Sequence, residues 1–493
     1  MADPATFRHI DPKTAAYLLC RGVDPSEMER WTQGVLQYLY TCLPDKPGDD
    51  TARLSALHVL DPSGDDRISA LPFALLCNIV SRLPAKDAAR TTVLSSRWRP
   101  IWRCTPLAFA DAHLLDDSRE PTRADTPALV DTISHILAAH PGPFRTAHLV
   151  CGYMDAYQQQ LARWIQALAG KKIEELVLVN QPWPLDVPLP AALFGVSSLT
   201  RLYLGIWKLS TTPILSRCAA FPHLRELVLC SVDMGSRDMD FLLAASPILE
   251  TLAILGSRSH MMVLRLLGQH LRCVQICMSY MEGIVLVDTP KLERLVLWGS
   301  LARDGCSIRL KIGQAPNLRV LGHLEPGIHH LESGIRARVS SVRILALRIR
   351  FAIASDVKML FPFLRCFTNL ETLHVTSEIS DEVTGNPNLK FWQEASPIQS
   401  FQSSLKTMTF WEFRGEQSEV AFLKFMFQSA VLLKSALVMV SSAEIVTKVQ
   451  ALGVMHLANQ ECSLVVCVSA EPEGGGIWSI QKGGDFSVRD PFA

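Results

Sequence analysis

The chain has 493 residues, 48% of them hydrophobic and 19% charged, with equal numbers of basic and acidic side chains. That length exceeds one compact core, and the composition is that of an ordered chain, so several domains or one elongated repeat array is expected. Zero net charge excludes a molecule that binds nucleic acid through its bulk charge. There is no run of about 18 uncharged apolar residues, so no transmembrane helix is expected. The first residues lack an apolar signal core, so a secretory peptide is not expected either. The 13 cysteines sit singly in apolar runs such as Leu229-Cys230 and Val466-Cys467, the pattern of reduced cysteines acting as small hydrophobes.

Residues 1–60 carry apolar side chains at helical intervals, for example Met28, Trp31, Val35 and Leu39, and predict a helical extension. Residues 44–50 break it with two prolines and acidic side chains. After the turn Asp61 to Asp66 comes a module over 61–106. Leu71, Leu75, Ile79 and Leu83 are four apart and share one helix side, widened by Leu76 and Val80. Pro72 fits a first helical turn, and Pro84 ends that helix and opens the next. Ser95 or Ser96 is placed to cap a third helix carrying Trp98 and Trp102, short or kinked because of Pro100. From Arg67 to Arg103 seven basic residues face one acid, Asp87. An apolar face ringed by positive charge, on a unit too small to bury that face alone, predicts an acidic partner with an apolar groove. Packing of this basic hairpin on the following repeats is the alternative.

Leu71-Pro72, Ile79 to Pro84, Lys86 to Arg90, Leu94-Ser95 and Arg97-Trp98-Arg99 with Trp102 together resemble an F-box of the plant type. Phe73-Ala74 and Cys77-Asn78 stand where that family usually has charged residues. The resemblance implies docking to a Skp-type adaptor and, through it, to a cullin. It assigns adaptor contact to Leu71, Pro72, Leu75, Ile79, Leu83, Pro84, Ala88, Ala89, Leu94, Ser95, Trp98 and Trp102. Ala88 and Ala89 would allow close helix approach, and the tryptophans would supply buried area.

Residues 107–143 form a connection with a helix from Pro127 to Ala139. Over 144–385 a Leu-x-x-Leu-x-Leu frame recurs. It is clearest at Leu199-Leu202-Leu204, Leu224-Leu227-Leu229, Leu249-Leu252-Ile254, Leu292-Leu295-Leu297, Val342-Leu345-Leu347 and Leu370-Leu373-Val375. Weaker copies start at Phe144, Ile173, Leu271 and Leu318. Successive first positions from Ile173 differ by 26, 25, 25, 22, 21, 26, 24 and 28 residues, the period of leucine-rich repeats. This predicts an α/β fold, a solenoid of parallel strands with helices or turns on the convex side. Within the frames Arg201, Tyr203, Glu226 and Arg294 point away from the core and are the candidate contacts for a protein client, whose identity is unknown.

Residues 386–445, with Trp392, the Leu405-Lys406 strand, Gly415 and an acidic helix start at Glu419, resemble the FBD module of plant F-box proteins. The residues themselves predict a strand–helix–strand cap. Residues 446–493 predict a terminal strand, 463–468, and a flexible tail.

Chemical motifs are absent: no phosphate loop, no Gly-x-Ser-x-Gly elbow and no His-Glu-x-x-His. His329-His330 fits a solvated turn, and Glu174-Glu175 the solvent side of a strand. No catalytic residue, metal or cofactor is expected, and no nucleic-acid or membrane partner. The expected role is the substrate receptor of a Skp–cullin–F-box ubiquitin ligase, in cytoplasm and/or nucleus. The alternatives are an adaptor-independent repeat scaffold, a nucleic-acid binder using the basic patch, and an enzyme.

Overall fold

The computed structural model of the protein describes residues 7, 9–47, 68, 70–115, 121–209, 220–257, 262–300, 307–326, 329–331, 339–380, 392, 398–469 and 478–493. They form two compact units, Met1–Leu249 with Ile254–Arg258, and Glu250–Ala253 with Ser259–Ala493.

The first unit opens with α1 (Pro12–Cys20) and α2 (Pro25–Cys42). Each starts on an Asp-Pro pair. The Asp11 carboxylate accepts from the Lys13 and Thr14 amides at 2.9 and 3.1 Å, and Asp24 accepts from Ser26 at 2.9 Å. The aspartate satisfies amides that have no partner inside the helix, and proline lacks the amide that would need one. The buried face of α2 is Thr32, Leu36, Leu39 and Cys42. The expected stripe through Trp31 is rotated by one residue, leaving Trp31 46% exposed. The rotation lets Thr32 receive the Trp183 indole N–H at 3.1 Å and Tyr40 receive the Gln181 amide at 2.8 Å.

Helices α3 (Phe73–Val80), α4 (Ala85–Arg90) and α5 (Trp98–Cys104) follow. The stretch expected as a connection carries strand β1 (Leu107–Ala110) and helix α6 (Thr126–Ala139). Then come β2 (Phe144–Leu149), α7 (Gln158–Gly170), β3 (Glu175–Val179), β4 (Arg201–Gly205), β5 (Glu226–Cys230) and α8 (Ser236–Ala245). Strands β1 to β5 pair in chain order, all parallel. The register aligns Leu176, Leu202 and Leu227 in one row, all at most 1% exposed. Helix α7 supplies Trp164, Ile165 and Leu168 to the same core. No single strand could bury its leucine side, so each coil is stabilised by its neighbours.

Strand β6 (Thr251–Leu255) contributes residues to both units. In the second unit the repeat strands are β8 (Cys273–Cys277), β10 (Arg294–Trp298), β12 (Val320–Leu324), β14 (Ile344–Ile349) and β15 (Thr372–Ser377). They continue through β16 (Thr407–Phe413), β17 (Ser435–Val440) and β18 (Ser463–Val468), in that order and parallel. The strong and weak sequence frames alike fall on strands.

The return segments depart from the expected helices and turns. β7 (Val263–Leu267), β9 (Gly283–Asp288), β11 (Ile308–Gln314) and β13 (His329–Leu331) form a second parallel sheet. Their sequences alternate, as in Val-Leu-Arg-Leu-Leu, and Leu264, Leu266, Ile284, Leu286, Ile308 and Leu310 are at most 1% exposed. Period two buries one strand face and cannot make a helix stripe. His329 belongs to this sheet, 1% exposed, with Nδ1 accepting from the Glu325 amide at 3.0 Å; it is not in a solvated turn.

Helix α9 (Ala354–Leu364) returns between β14 and β15. Helices α10 (Gln399–Ser403), α11 (Gln417–Ser429) and α12 (Ala443–His456) serve the last strands, giving the strand–helix–strand cap. Trp392 sits in an aromatic cluster with Phe361, Phe422 and Phe425 at 5.0, 5.4 and 5.8 Å. The turn into α11 has Gly415 at φ +77° and closes on Glu419, whose carboxylate accepts the amides of Arg414 and Glu416 at 2.9 and 3.0 Å. The expected flexible tail is instead packed from Trp478 onward, with a short helix α13 (Ile480–Gly484); residues 470–477 lie outside the described residues.

Candidate functional site

Two surfaces carry the sequence-predicted residues. The first is the helical module α3–α5. Pro72 and Pro84 stand immediately before α3 and α4, and each carbonyl accepts from the first turn: Leu75 and Leu76 at 3.0 and 3.2 Å, Asp87 and Ala88 both at 2.9 Å. No serine side chain caps α5, which begins after Arg97; Pro100 is tolerated because it falls in the first turn. The Arg97 guanidinium instead donates to the Leu71 carbonyl at 2.6 Å, tying the third helix to the start of the first.

Burial splits the predicted residues into two sets. Leu76, Val80, Ala88, Trp98 and Ile101 are the module's interior, none more than 5% exposed. On the outside Leu75 is 51%, Ile79 38% and Leu94 65% exposed, with Phe73 at 47% and Val93 at 82%. Pro72 and Ser95 are exposed as well; Leu71, Leu83, Pro84, Ala89 and Trp102 are half-buried. Ala88 and Trp98 therefore hold the outward stripe in place from inside. Trp102 rests on the His140 ring at 4.7 Å. Arg82, Lys86, Arg90, Arg97, Arg99 and Arg103 are all exposed around this patch, and only Arg90 meets the module's acid, Asp87, at 2.9 Å. Arg67 lies outside the described residues. Phe73 and Val93, which sequence reasoning did not single out as contacts, are exposed as well; Phe73 lies two residues from Leu75 and six from Ile79, so helical spacing from them does not mark it.

The second surface is the strand face opposite the leucine rows. In the first unit Glu175, Arg201 and Glu226 lie side by side in register. Arg201 bridges both acids at 3.2 and 3.6 Å, and Tyr203 donates to Glu226 at 2.6 Å. His148 meets Glu175 at 3.3 Å. Burial opposes ionisation of Glu175, yet the His148 hydrogen bond and the Arg201 charge hold its carboxyl below the usual range. Burial and the Glu226 charge push the Tyr203 phenol up, so it acts as a neutral donor. Arg201 keeps 56% of its side chain exposed, so these pairs orient side chains and contribute about 0–1 kcal/mol each.

Arg294, in the second unit, is not on an open face. It is 4% exposed and lies beneath the tail. Its guanidinium donates to the carbonyls of Gly483 at 2.8 Å, Asp485 at 3.0 Å and Val488. No group of three or more His, Cys, Asp or Glu side chains suited to a metal occurs among the described residues.

Three family models match this chain in sequence order. They are an F-box domain over 68–108, the leucine-rich repeats of the FBD-associated F-box protein At5g56370 over 161–375, and FBD over 393–438. The F-box match falls on the helical module and the repeat match on the leucine-framed strands. The chain is similar to plant F-box, leucine-rich-repeat and FBD proteins. It is 31% identical over 195 residues to the F-box/LRR-repeat protein At3g59200 of Arabidopsis thaliana, covering 39% of this chain and 37% of that one. It is 28% identical to the Arabidopsis F-box/LRR-repeat protein At3g26922, covering 50% of this chain and 78% of that one. The FBD-associated F-box protein At4g10400 of the same plant is 24% identical over 81% of this chain and 98% of its own length. The chain thus spans little more than a third of At3g59200.

Proposed function

We propose that this protein is the substrate receptor of a Skp–cullin–F-box ubiquitin ligase. The observation that carries the reading is the outward stripe of Pro72, Phe73, Leu75, Ile79, Val93 and Leu94, ringed by exposed arginines, on a module matched by the F-box model. Exposed apolar side chains with positive charge around them fit an acidic adaptor with an apolar groove. The adaptor in turn links to a cullin, and the protein acts without chemistry of its own. It raises the effective concentration of a client lysine near a ubiquitin carrier. Arg201, with Tyr203 and Glu226 beside it, is the proposed client contact in the first unit; Arg294, in the second, is covered by the segment after Trp478 and is open to a client only when that segment leaves. The proposed setting is cytoplasm and/or nucleus.

The test is co-purification of the full chain with a plant Skp-type adaptor. Binding in the low micromolar range or tighter is expected, lost by Leu75→Asp and Ile79→Asp with the melting temperature unchanged. A folded wild-type chain that leaves the adaptor unbound at 100 micromolar (about 5 kcal/mol of affinity) supports an adaptor-independent scaffold instead.

A further inference from the structure

The strand face of the second unit is already occupied. Gln275, Val296, Ala346 and His374 lie on the side opposite the leucine rows, where a half-exposed sheet would show them to solvent, yet all are at most 4% exposed. What covers this face is the segment from Trp478 onward. The Trp478 indole donates to the Gln275 side-chain oxygen at 2.8 Å, and the Gln275 amide donates to the Ile480 carbonyl at 3.0 Å. Arg294 takes the carbonyls of Gly483, Asp485 and Val488. The Phe486 ring lies under the guanidinium groups of Arg272 and Arg294, 3.8 and 4.8 Å from the ring centre. His374 pairs with Asp490 at 3.0 Å, and Phe492 packs on His323 at 5.0 Å and Trp478 at 5.4 Å. Gly322 leaves the floor open for the Phe492 ring; a Cβ there would collide with it.

Three features of this contact are those of a ligand in a cleft. The segment joins neither sheet, so it can leave without breaking a strand ladder. It is gripped largely through main-chain carbonyls, which any sequence offers, with specificity left to three aromatic rings and one carboxylate. Beside it remains a cavity of about 680 Å³, lined by Arg319, Arg343 and Lys406 and by Glu293 and Glu371, with Glu371 paired to Arg343 and Lys406, into which a longer occupant would extend.

We propose that this face is a binding cleft for an extended peptide bearing aromatic anchors and an acidic residue, and that Trp478–Phe492 is its resident, displaceable occupant. The cleft stands independently of adaptor binding. Read with the proposed function, the incoming peptide is part of the client, and the resident segment sets the threshold the client must exceed. A tethered occupant acts at an effective concentration on the order of millimolar, so an outside peptide competes poorly until the resident anchors are weakened.

The test uses the full chain and a fluorescein-labelled peptide of residues 478–493, read by fluorescence anisotropy. In the triple variant Trp478→Ala, Phe486→Ala, Phe492→Ala the face is intact and the resident anchors are gone. This variant is expected to bind the free peptide at least about tenfold more tightly than the wild-type chain does. Adding Gln275→Ala and Arg294→Ala is expected to abolish the gain. A folded triple variant that does not bind, or binds no better than wild type, overturns the proposal, as does binding indifferent to Arg294. If the triple variant does not fold, hydrogen exchange on the wild-type chain decides. Amides of 480–492 exchanging well before those of β8, β10 and β12 support a displaceable segment; exchange together with those strands overturns it. Neither result bears on adaptor binding, which is read separately by co-purification.

Discussion

At the residue scale, the least legible feature is a recurring left-handed backbone position just after the strands. Ile206, Ser231 and Gly256 in the first unit have φ of 58°, 51° and 58°; Met278 and Gly299 in the second have 44° and 57°. The amide of each non-glycine member extends the ladder by one bond to the neighbouring coil: Ile206 to Cys230, Ser231 to Leu255 and Met278 to Trp298. These sites repeat with the period of the coils, but most are not glycine, so no sequence pattern marks them. A non-glycine residue there costs about 1 kcal/mol, which the coil stacking outweighs. Ser231→Gly is therefore expected to be neutral or stabilising, and Gly299→Ala to cost about 1 kcal/mol, both read by urea unfolding. Asp111 is equally hidden in sequence. It is 2% exposed, and one carboxylate oxygen accepts the Val150 and Cys151 amides, both at 2.8 Å. Burial pushes its pKa up to about 6 despite those amides. Its folded value lies above the unfolded one near 3.8, so the folded state holds the proton longer. The contribution of Asp111 to stability is thus expected to fall as pH rises from about 4 to about 6, by on the order of 2–3 kcal/mol, and then level off. That contribution should be missing from Asp111→Asn, read as the difference in denaturant midpoint between variant and wild type across the window.

Among elements, the helical module shows what periodicity reveals and what it leaves out. The four-residue spacing of Leu71, Leu75 and Ile79 marks the helix face, and the aromatic end of the module is plain. Which of two adjacent stripes turns inward is decided by packing against α5: Leu76 and Val80 are covered, Leu75 and Ile79 are not. The roles proposed for the two stripes differ accordingly. Leu75→Asp is expected to change stability by less than about 0.5 kcal/mol while lowering adaptor affinity at least tenfold. Trp98→Ala removes a 5%-exposed indole and is expected to cost about 3–5 kcal/mol in folding, visible as a lowered melting temperature. Equal effects of both on stability would remove the distinction. The return strands β7, β9, β11 and β13 were legible in principle, since Val-Leu-Arg-Leu-Leu alternates; the leucine frame on the other side of each coil drew the reading toward helices and turns.

For the whole molecule, the order of modules was readable because it rests on local signals: two prolines, a leucine period, a tryptophan and a glycine turn. The destination of the segment after Trp478 was not. It is set by contacts about 200 residues apart, such as Trp478 with Gln275, and a glycine-rich lead such as Gly474-Gly475-Gly476 suggests mobility to any local reading. The proposed adaptor face and the proposed peptide cleft share no residue, so their variants are expected to be independent. Combining Leu75→Asp with the three anchor substitutions should leave peptide affinity at the level of the anchor variant within about twofold, and adaptor affinity at that of Leu75→Asp. Coupling beyond that range, measured by both titrations on the same preparations, would mean that the two sites communicate.

The second sheet has a mechanical consequence for the cleft. Adjacent strands stack about 4.8 Å apart, roughly half the width of a helix. Where β7, β9, β11 and β13 return behind β8, β10 and β12, strands stand on both sides of the coils, and stacking with little fanning is expected. Gln275, Arg294 and Gly322 stand on that stretch. That support is expected to keep its spacing when an occupant leaves, so that ordering the floor for the next peptide adds little to the entropy cost of binding.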